Sequence, residues 1–533
     1  MLRELGEAVS AHIPHLLAAT FILYFVFQRY QKNLSKYPGP FLASLTNNWR
    51  LLDVWGRDTH FTYRKLHDKY GSVVRVGPNV LSFADPAAIP DIYGLNKGYT
   101  KSGYYDVFAT LNKGNSVYNL FSTRSEQFHA RFRRSVNHAF ALSTLLDYEP
   151  LVDSCTSFFL RRTEELFATT GQPCSFSQWM QFFAFDVIGE ITWSRRLGFV
   201  EENHDISDII ATVDSFQNYG TVIGQNPWLD RILIKNPVKL FLESKGLWPS
   251  GPNAAIVRFA LDRQREHSKR AADDLERSGE NTGKRGVNFL QRFLQSQEKS
   301  PEFLTDNRIT AMCASLIIAG SDSTAISLSS VFYYLLQNPR VYQKLMVEID
   351  AADAAGELAS SEDTTGAGDV VPFSAAKKLT YLDAVINESF RMHPAVGLLL
   401  ERVTPPGGAT ICGEYVPGGT VVGCNAWVVH QNKGVFGEDA DVYRPERWLE
   451  SEGADTIQLS RMRQSMFQFG AGARTCIGKN ISLMETYKMI PTFLRKFEIE
   501  MAASEEPMFL KNAFFVHRKN FNVHLKPRGT KTG

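Results

Sequence analysis

The residues most able to do chemistry sit close together near the end of the chain, in "FQFGAGARTCIGKN", Phe467 to Asn480. This stretch sets Arg474 and Cys476 among three glycines, Gly470, Gly472 and Gly478. Glycine permits tight turns and lets the backbone approach something flat or bulky. The following "IGKNISLMETYKMIPTFLRKF" has the apolar spacing of a helix, so Cys476 falls at or just before a helix N-terminus. That end of a helix favours a thiolate over a thiol, and Arg474 adds positive charge nearby. A thiolate so placed, with small residues clearing space around it, suits a ligand on one face of a metal centre. The other cysteines, Cys155, Cys174, Cys313, Cys412 and Cys424, form no C-x-x-C pair, and no clustered histidines complete a zinc site. A single thiolate is enough for heme iron. An ordinary buried cysteine in a glycine turn is the competing reading of the loop by itself.

Three further motifs precede it. "ESFR" supplies Glu388 and Arg391, which share one helix face at this spacing and can pair. "YRPERWL", Tyr443 to Leu449, contains Arg447, and "AGSDST", Ala319 to Thr324, interrupts a long apolar run with small and polar residues. Phe469, Gly472, Arg474, Cys476 and Gly478 match F-x-x-G-x-R-x-C-x-G, and all four elements stand in the order found in the cytochrome P450 family, which the chain resembles over nearly its whole length. Within the family it is similar to fungal microsomal members of the pisatin-demethylase-like group, through "LERV", "GGATICGEYVPGGTVVGCNAWVVH" and "FGEDADVYRPERWL".

The resemblance implies a heme-thiolate monooxygenase with heme b as cofactor and Cys476 as the iron ligand. It would insert one oxygen atom from O2 into a lipophilic small molecule, in fungal secondary-metabolite biosynthesis. NADPH electrons would arrive from a separate NADPH-cytochrome P450 reductase, with cytochrome b5 as an accessory donor. Phe469, Arg474, His129, Arg133 and Arg402 would bind the cofactor, the basic residues by holding its acidic propionates. Many relatives have tryptophan where His129 stands. Asp322, Ser323 and Thr324 would handle protons for oxygen activation. Ser323 stands where the family usually has threonine, and it lacks the methyl group that restrains the rotamer. A serine or threonine in a helix also often bonds back to a carbonyl. Glu388, Arg391 and Arg447 would form a buried ionic triad with a structural role. Exposed Arg131, Arg134, Arg461, Arg463 and Lys479 would steer an acidic reductase. The pocket would draw on Tyr104 to Leu120, Ile317, "AVGLLL" after His393 and "NAFFV" near Phe514. Two other readings are a heme-thiolate enzyme catalysing desaturation, ring expansion or rearrangement, and a non-enzymatic heme sensor or carrier.

The elements that must position these residues are mostly helical. Helical periodicity dominates from about Phe128, and Arg308 to Gln337 reads as one long helix through the middle of the fold. "GSVVRVGPNVLSFAD" reads as a β-hairpin, and strand signals return after Arg402 and near the C-terminus. The expected class is mainly α with a minor β component, the cytochrome P450 fold, as a single catalytic domain behind an N-terminal transmembrane helix. Ala8 to Phe27 carries no charged side chain and as a helix would reach roughly 30 Å. Arg29, Lys32 and Lys36 follow it, so the positive-inside rule puts the body on the cytosolic side. The expected division is a membrane anchor at residues 1–28, a proline-containing linker at 29–50 and the catalytic domain at 51–533, on the endoplasmic reticulum membrane with one pass. "SKRAADDLERSGENTGKRG" and "DAADAAGELASSEDTTGAGD" read as solvated loops. A net charge of +2 over 533 residues gives no basic excess of the kind that nucleic-acid binding needs.

Overall fold

A single helix, Asp306–Gln337, carries the long apolar run. Asn338 leaves the helical region ahead of Pro339, as residues before proline tend to, and a new helix Pro339–Ala354 starts there. The central helix lies along Phe176–Trp193 and also packs against Pro252–Ser278, Thr380–Met392 and Lys479–Lys496. Phe176–Trp193 is buried on almost every face, so two helices without a polar side form the middle of the fold. The computed structural model describes residues 2–112, 115–248, 251–278, 288–359, 370–504 and 506–529.

The predicted hairpin is Val73–Gly77 with Val80–Phe83, antiparallel. It belongs to a five-stranded sheet that continues through Val421–Cys424, Arg402–Val403 and Thr100–Lys101. Near the C-terminus, Phe509–Ala513 and Phe515–Lys519 form a second hairpin that turns at Phe514. The chain is mainly helical with this minor sheet content, as its patterning implies.

The ionic triad is present and fully buried. Glu388 accepts from Arg391 at 2.8 and 2.9 Å, from Arg447 at 2.9 Å, from the Trp448 indole at 2.9 Å and from the Arg444 backbone N–H at 2.9 Å. These partners hold the Glu388 carboxyl below the usual carboxylate range, against burial, which acts the other way. Arg391 spends its remaining donors on the carbonyls of His430, Ala440 and Val442. The triad therefore staples the Thr380–Met392 helix to the irregular segment that leads into the cysteine loop.

The first helix, Leu2–Tyr30, exposes Leu16, Leu17, Phe21, Ile22, Leu23 and Phe27 among other apolar side chains. Among the described residues, the mostly buried central helix is also long and apolar enough to cross a membrane, as the core helix of a soluble protein can be. Arg75 ties its C-terminal end to the body, donating to the carbonyls of Gln28 and Arg29 at 2.7 Å each. The segment that follows packs onto the sheet. Pro38 accepts from the Arg75 backbone N–H at 2.8 Å, and a Cβ on Gly39 would lie 2.2 Å from the Arg75 carbonyl oxygen. Leu34, Ala43 and Arg50 are buried in the same region.

The two stretches read as loops are partly helical. Ser268–Ser278 completes the Pro252–Ser278 helix, and Asp350–Ala354 completes Pro339–Ala354; residues 279–287 and 360–369 lie outside the described set. Alanine, glutamate, arginine and lysine are good helix formers, and a solvated helix end needs no apolar stripe to continue.

Glu485, on the Lys479–Lys496 helix, has no counter-charge among the described residues to match its burial. Its Oε2 is buried with no hydrogen-bond partner, and burial pushes the carboxyl up to about 8. The folded protein therefore holds a proton that the unfolded chain releases above its ordinary glutamate pKa. Stability should fall as pH rises from that value toward about 8 and level off beyond it. Glu485→Gln is expected to remove this slope, raising stability by about 1–3 kcal/mol near neutral pH with little effect at pH ~5. Thermal unfolding of both proteins at the two pH values measures it.

Candidate active site

The cysteine loop is built by its own backbone. Cys476 N–H donates to the Phe469 carbonyl and Gly470 N–H to that of Phe467, each at 2.9 Å. Gly470 and Gly472 adopt φ of +66° and +65°. A Cβ on Gly472 would lie 1.8 Å from the Tyr93 carbonyl oxygen, so only glycine fits. The loop is also tied to the buried triad. Phe467 N–H donates to His430 Nε2 at 2.8 Å, while His430 Nδ1 lies 3.1 Å from the Arg391 carbonyl oxygen. Both bonds form only if Nδ1 carries the single ring proton. Burial keeps this imidazole neutral, with its pKa lowered to about 3.

The chain has six free cysteines, of which Cys155, Cys174, Cys313 and Cys424 are buried. Cys476 differs from these four in being accessible. It nevertheless lies deep enough that burial is the largest influence on its thiol, pushing it up. The N–H groups of Gly478 and Lys479 and the charges of Arg133 and Lys479 act in the opposite direction. An accessible sulfur at that depth faces space inside the protein. Ala319, midway along the central helix, is likewise accessible although Ile317, Ser321 and Asp322 around it are buried. Phe469 beside the loop packs edge-on against Phe390, with ring centres 5.9 Å apart.

The expected cofactor-binding bases gather on one side. Arg474 pairs with Glu126 at 2.7 Å and Arg133 donates to the Thr475 carbonyl at 2.8 Å. Arg402 donates to the Glu401 carbonyl at 2.9 Å and lies over the Tyr93 ring. His129 is buried, and burial followed by the charges of Arg474, Lys101, Arg133 and Arg402 lowers its pKa to about 3. A cavity of about 1100 Å³ opens beside these residues, lined by His129, Arg133, Arg402, Arg474 and Glu126 among others.

The cytochrome P450 family profile matches residues 38–525. The chain belongs to the cytochrome P450 family. A cytochrome P450 monooxygenase of Emericella nidulans, cicH, is 40% identical over 523 residues, covering 97% of this chain and 99% of its own. A cytochrome P450 monooxygenase of Aspergillus terreus is 38% identical over 493 residues, covering 91% of this chain and 95% of its own. The monooxygenase mpaDE' of Penicillium brevicompactum is 34% identical over 515 residues, which is 95% of this chain and 57% of that longer protein.

This P450 is therefore an oxidoreductase of the monooxygenase class, and its cofactor is heme b. The residues fit that group. The accessible thiol of Cys476 could ligate the iron, and the surplus of guanidinium groups over carboxylates suits two acidic side arms.

On the central helix, Asp322 does not point freely into a cavity. It is 1% exposed and accepts from the Gln181 amide at 2.6 Å and the Gln217 amide at 2.8 Å. Burial pushes its carboxyl up, partly offset by His517 and the two amides. Carboxylate oxygens of Asp322 and Asp214 and a ring nitrogen of His517 all lie within 4.8 Å of one another. Ser323 Oγ donates to the Ala319 carbonyl at 2.6 Å, the back-bond that such a residue makes readily. Thr324 is buried. His430, Glu126, Gln181, Gln217 and His517 escape the sequence reading, because each acts through contacts distant in sequence. Glu126 alone carried a local hint, as an acid in the first turn of the helix that bears His129 and Arg133.

Gly472→Ala is expected to abolish heme incorporation, whereas Gly478→Ala, with open space around its Cβ and φ of −85°, should retain it. Heme absorbance per folded protein separates the two.

Proposed function

We propose that this P450 hydroxylates a lipophilic small molecule of fungal secondary metabolism, with Cys476 as the thiolate ligand of its heme. The observation that carries the reading is the accessible Cys476 sulfur at the head of a helix, with N–H groups and cations turned toward it. Bound heme supplies dioxygen activation, so that one oxygen atom enters a C–H bond and the other leaves as water at the expense of two electrons and two protons. Burial raises the Asp322 carboxyl, so it takes up a proton more readily than a solvated aspartate would. Moving it toward Ser323 requires the serine hydroxyl to leave the Ala319 carbonyl, and the unbranched serine rotates more freely than threonine would. Arg133, Arg402 and Arg474, with His129, would hold the heme's acidic arms.

The lipophilic substrate is supported by a cluster of rings. Phe514 lies with its ring centre 6.0 Å from Phe108 and 5.5 Å from Phe121, and Phe216 lies 5.8 Å from Phe108. These residues come from four separate segments and could together shape an apolar pocket. Ile317 is fully buried, so it backs such a pocket rather than lining it.

We further propose a single-pass anchor in the endoplasmic reticulum membrane, with the body cytosolic. The exposed apolar first helix supports it. So do the exposed apolar side chains of Phe41, Leu52, Trp55, Trp228, Ile232 and Phe241. The Asn226 amide donates to Asn48 at 2.6 Å, which brings the segment before Trp228 against the helix that carries Leu52 and Trp55. Electrons would come from NADPH-cytochrome P450 reductase, with cytochrome b5 as an accessory donor, at the exposed Arg134, Arg461, Arg463 and Lys479. Arg131 is a weaker member of this face, since it pairs with Glu302 at 2.9 Å and lies over the Phe303 ring.

The carbon monoxide difference spectrum of the reduced protein is expected to show the strongly red-shifted Soret band of thiolate ligation, and Cys476→Ser is expected to lose it. A variant that keeps the band would rule out Cys476 as the ligand. For the anchor, full-length protein should resist alkaline carbonate extraction from microsomes, and protein lacking residues 2–30 should be released. Full-length protein that washes off would exclude a spanning helix.

A further inference from the structure

A second cavity, of about 660 Å³, opens where the hairpin of Phe509–Ala513 and Phe515–Lys519 meets the segment after the Asn48–Trp55 helix and the C-terminal end of the central helix. Its walls include Arg57, Phe61, Tyr333, Phe509, Lys511 and Arg518. Tyr333 stands about four turns beyond Ala319 on the central helix, roughly 20 Å along its axis, so this cavity lies apart from the space that Cys476 faces. A cleft of this size, with apolar and aromatic walls and a few charged groups, has the usual form of a small-molecule site.

Arg518 is only 7% exposed, yet no carboxylate among the described residues lies within ion-pair distance of it. Its guanidinium lies over the Tyr333 ring, 3.4 Å from the ring centre, and Nη2 donates to His393 Nδ1 at 3.3 Å. That bond forms when His393 Nε2 carries the ring proton and donates to the Val516 carbonyl at 2.8 Å. Arg518 Nε is buried with no hydrogen-bond partner. Arg57 repeats the pattern. Its Nη1 is buried without a partner, and it too has no carboxylate among the described residues within ion-pair distance. Its backbone has φ of +68°, a region that residues with side chains rarely visit, and its carbonyl accepts from the Asn512 N–H at 3.1 Å. The chain is thus held in a costly turn against the hairpin, with the Arg57 side chain on the cavity wall. Lys511 is committed to Asp214 at 3.4 Å, and Asp58, also beside the cavity, is exposed and pairs with neither arginine. Burial acts against the charge of both guanidinium groups. Buried donors are nearly always satisfied, and a buried charge is costly without a partner. Two guanidinium groups with open donors in one cavity therefore suit an oxyanion, whose shape a guanidinium fork matches.

We propose that this cavity binds an amphiphilic oxyanion, a carboxylate or phosphate on an apolar or aromatic body, with Arg57 and Arg518 holding the oxyanion and Phe61, Tyr333 and Phe509 covering the body. The site uses none of the residues assigned to the heme or to the oxygen chemistry. The exposed Leu52 and Trp55 immediately precede Arg57, so the cavity opens next to side chains proposed to meet the membrane. The oxyanion accordingly has two sources, a free acid in solution and the headgroup of an anionic lipid.

The test uses full-length holoprotein in phosphatidylcholine nanodiscs and chloride buffer, with an azole on the heme iron to close the substrate pocket. Phenyl phosphate is titrated by calorimetry, beside benzyl alcohol, which keeps the ring and lacks the charge. Wild type should bind phenyl phosphate and not benzyl alcohol over the same concentrations. Arg57→Gln and Arg518→Gln, each with full heme content, should bind phenyl phosphate roughly 10-fold more weakly or worse. Nanodiscs that also contain phosphatidic acid separate the two sources. Loss of phenyl phosphate binding in them would assign the site to a lipid headgroup, and retained binding would assign it to a free acid. A wild type that binds no phenyl phosphate, or binds benzyl alcohol equally well, overturns the proposal. So does unchanged affinity in Arg57→Gln, whose partly exposed side chain can be replaced even if Arg518→Gln fails to fold. None of these results bears on heme ligation by Cys476.

Discussion

The cost of burying an unpaired charge governs how this protein is held together around its cysteine. Glu388 is completely enclosed, and it is tolerable there because Arg391, Arg447, Trp448 and the Arg444 backbone all donate to it. Removing one partner from such a set typically costs about 3–5 kcal/mol, since the remaining charge has no water to turn to. That penalty fixes Arg391, and Arg391 fixes what lies beyond it. Its guanidinium holds the His430 carbonyl, and its own carbonyl orients the His430 ring. The ring in turn receives the Phe467 N–H at the root of the cysteine loop. A carboxylate far from the reacting centre thus determines where Cys476 sits, through two residues and no direct contact.

The basic group around Arg474 follows the opposite logic. In the triad every charge has its complement within the chain. Here one carboxylate, Glu126, faces several cations, and the guanidinium groups of Arg133 and Arg402 rest on backbone carbonyls. Such an imbalance weakens the protein alone and favours the protein with an anion in place, because a ligand that binds only the folded form stabilises it by mass action. His129 fits the same scheme. It is buried beside four cations and stays neutral, so it can donate to an acidic group without adding to the repulsion.

Much of this was readable in the sequence where chemistry is encoded locally. Glycines that let a loop turn, a cysteine at a helix start and an E-x-x-R pair on one helix face all have local signatures, and so do the Val73–Phe83 hairpin and the apolar central helix. His430 has none. "AWVVHQN" gives no hint that its histidine will bridge two motifs, because both partners arrive from elsewhere in the chain. The helix ends at Ser268–Ser278 and Asp350–Ala354 differ from the loops that charge, glycine and low complexity imply. Their residues have good helix propensity, and continuation from a well-packed helix needs little more. Ser323 illustrates the reverse case. Its type and position suggested a role in proton transfer, and the geometry finds its hydroxyl occupied by the Ala319 carbonyl.

The ring cluster proposed to shape the substrate pocket is the least local feature of all, and backbone strain helps to define it. Phe514 adopts φ of +76°, a region that bulky side chains rarely visit. Strain of this kind typically costs about 1–3 kcal/mol and persists only where surrounding structure compels it. The compulsion is visible on both sides. The Gly397 N–H donates to the Phe514 carbonyl at 2.9 Å, and the strands flanking Phe514 are paired along their whole length. An asparagine or glycine at this turn would satisfy the backbone more easily, but neither would deliver a ring to Phe108 and Phe121. The strain is therefore best understood as serving the shape of the pocket rather than the stability of the hairpin. That shape depends on ring contacts among segments far apart in the chain, whereas the cysteine loop and the ionic triad are held by their own separate hydrogen bonds.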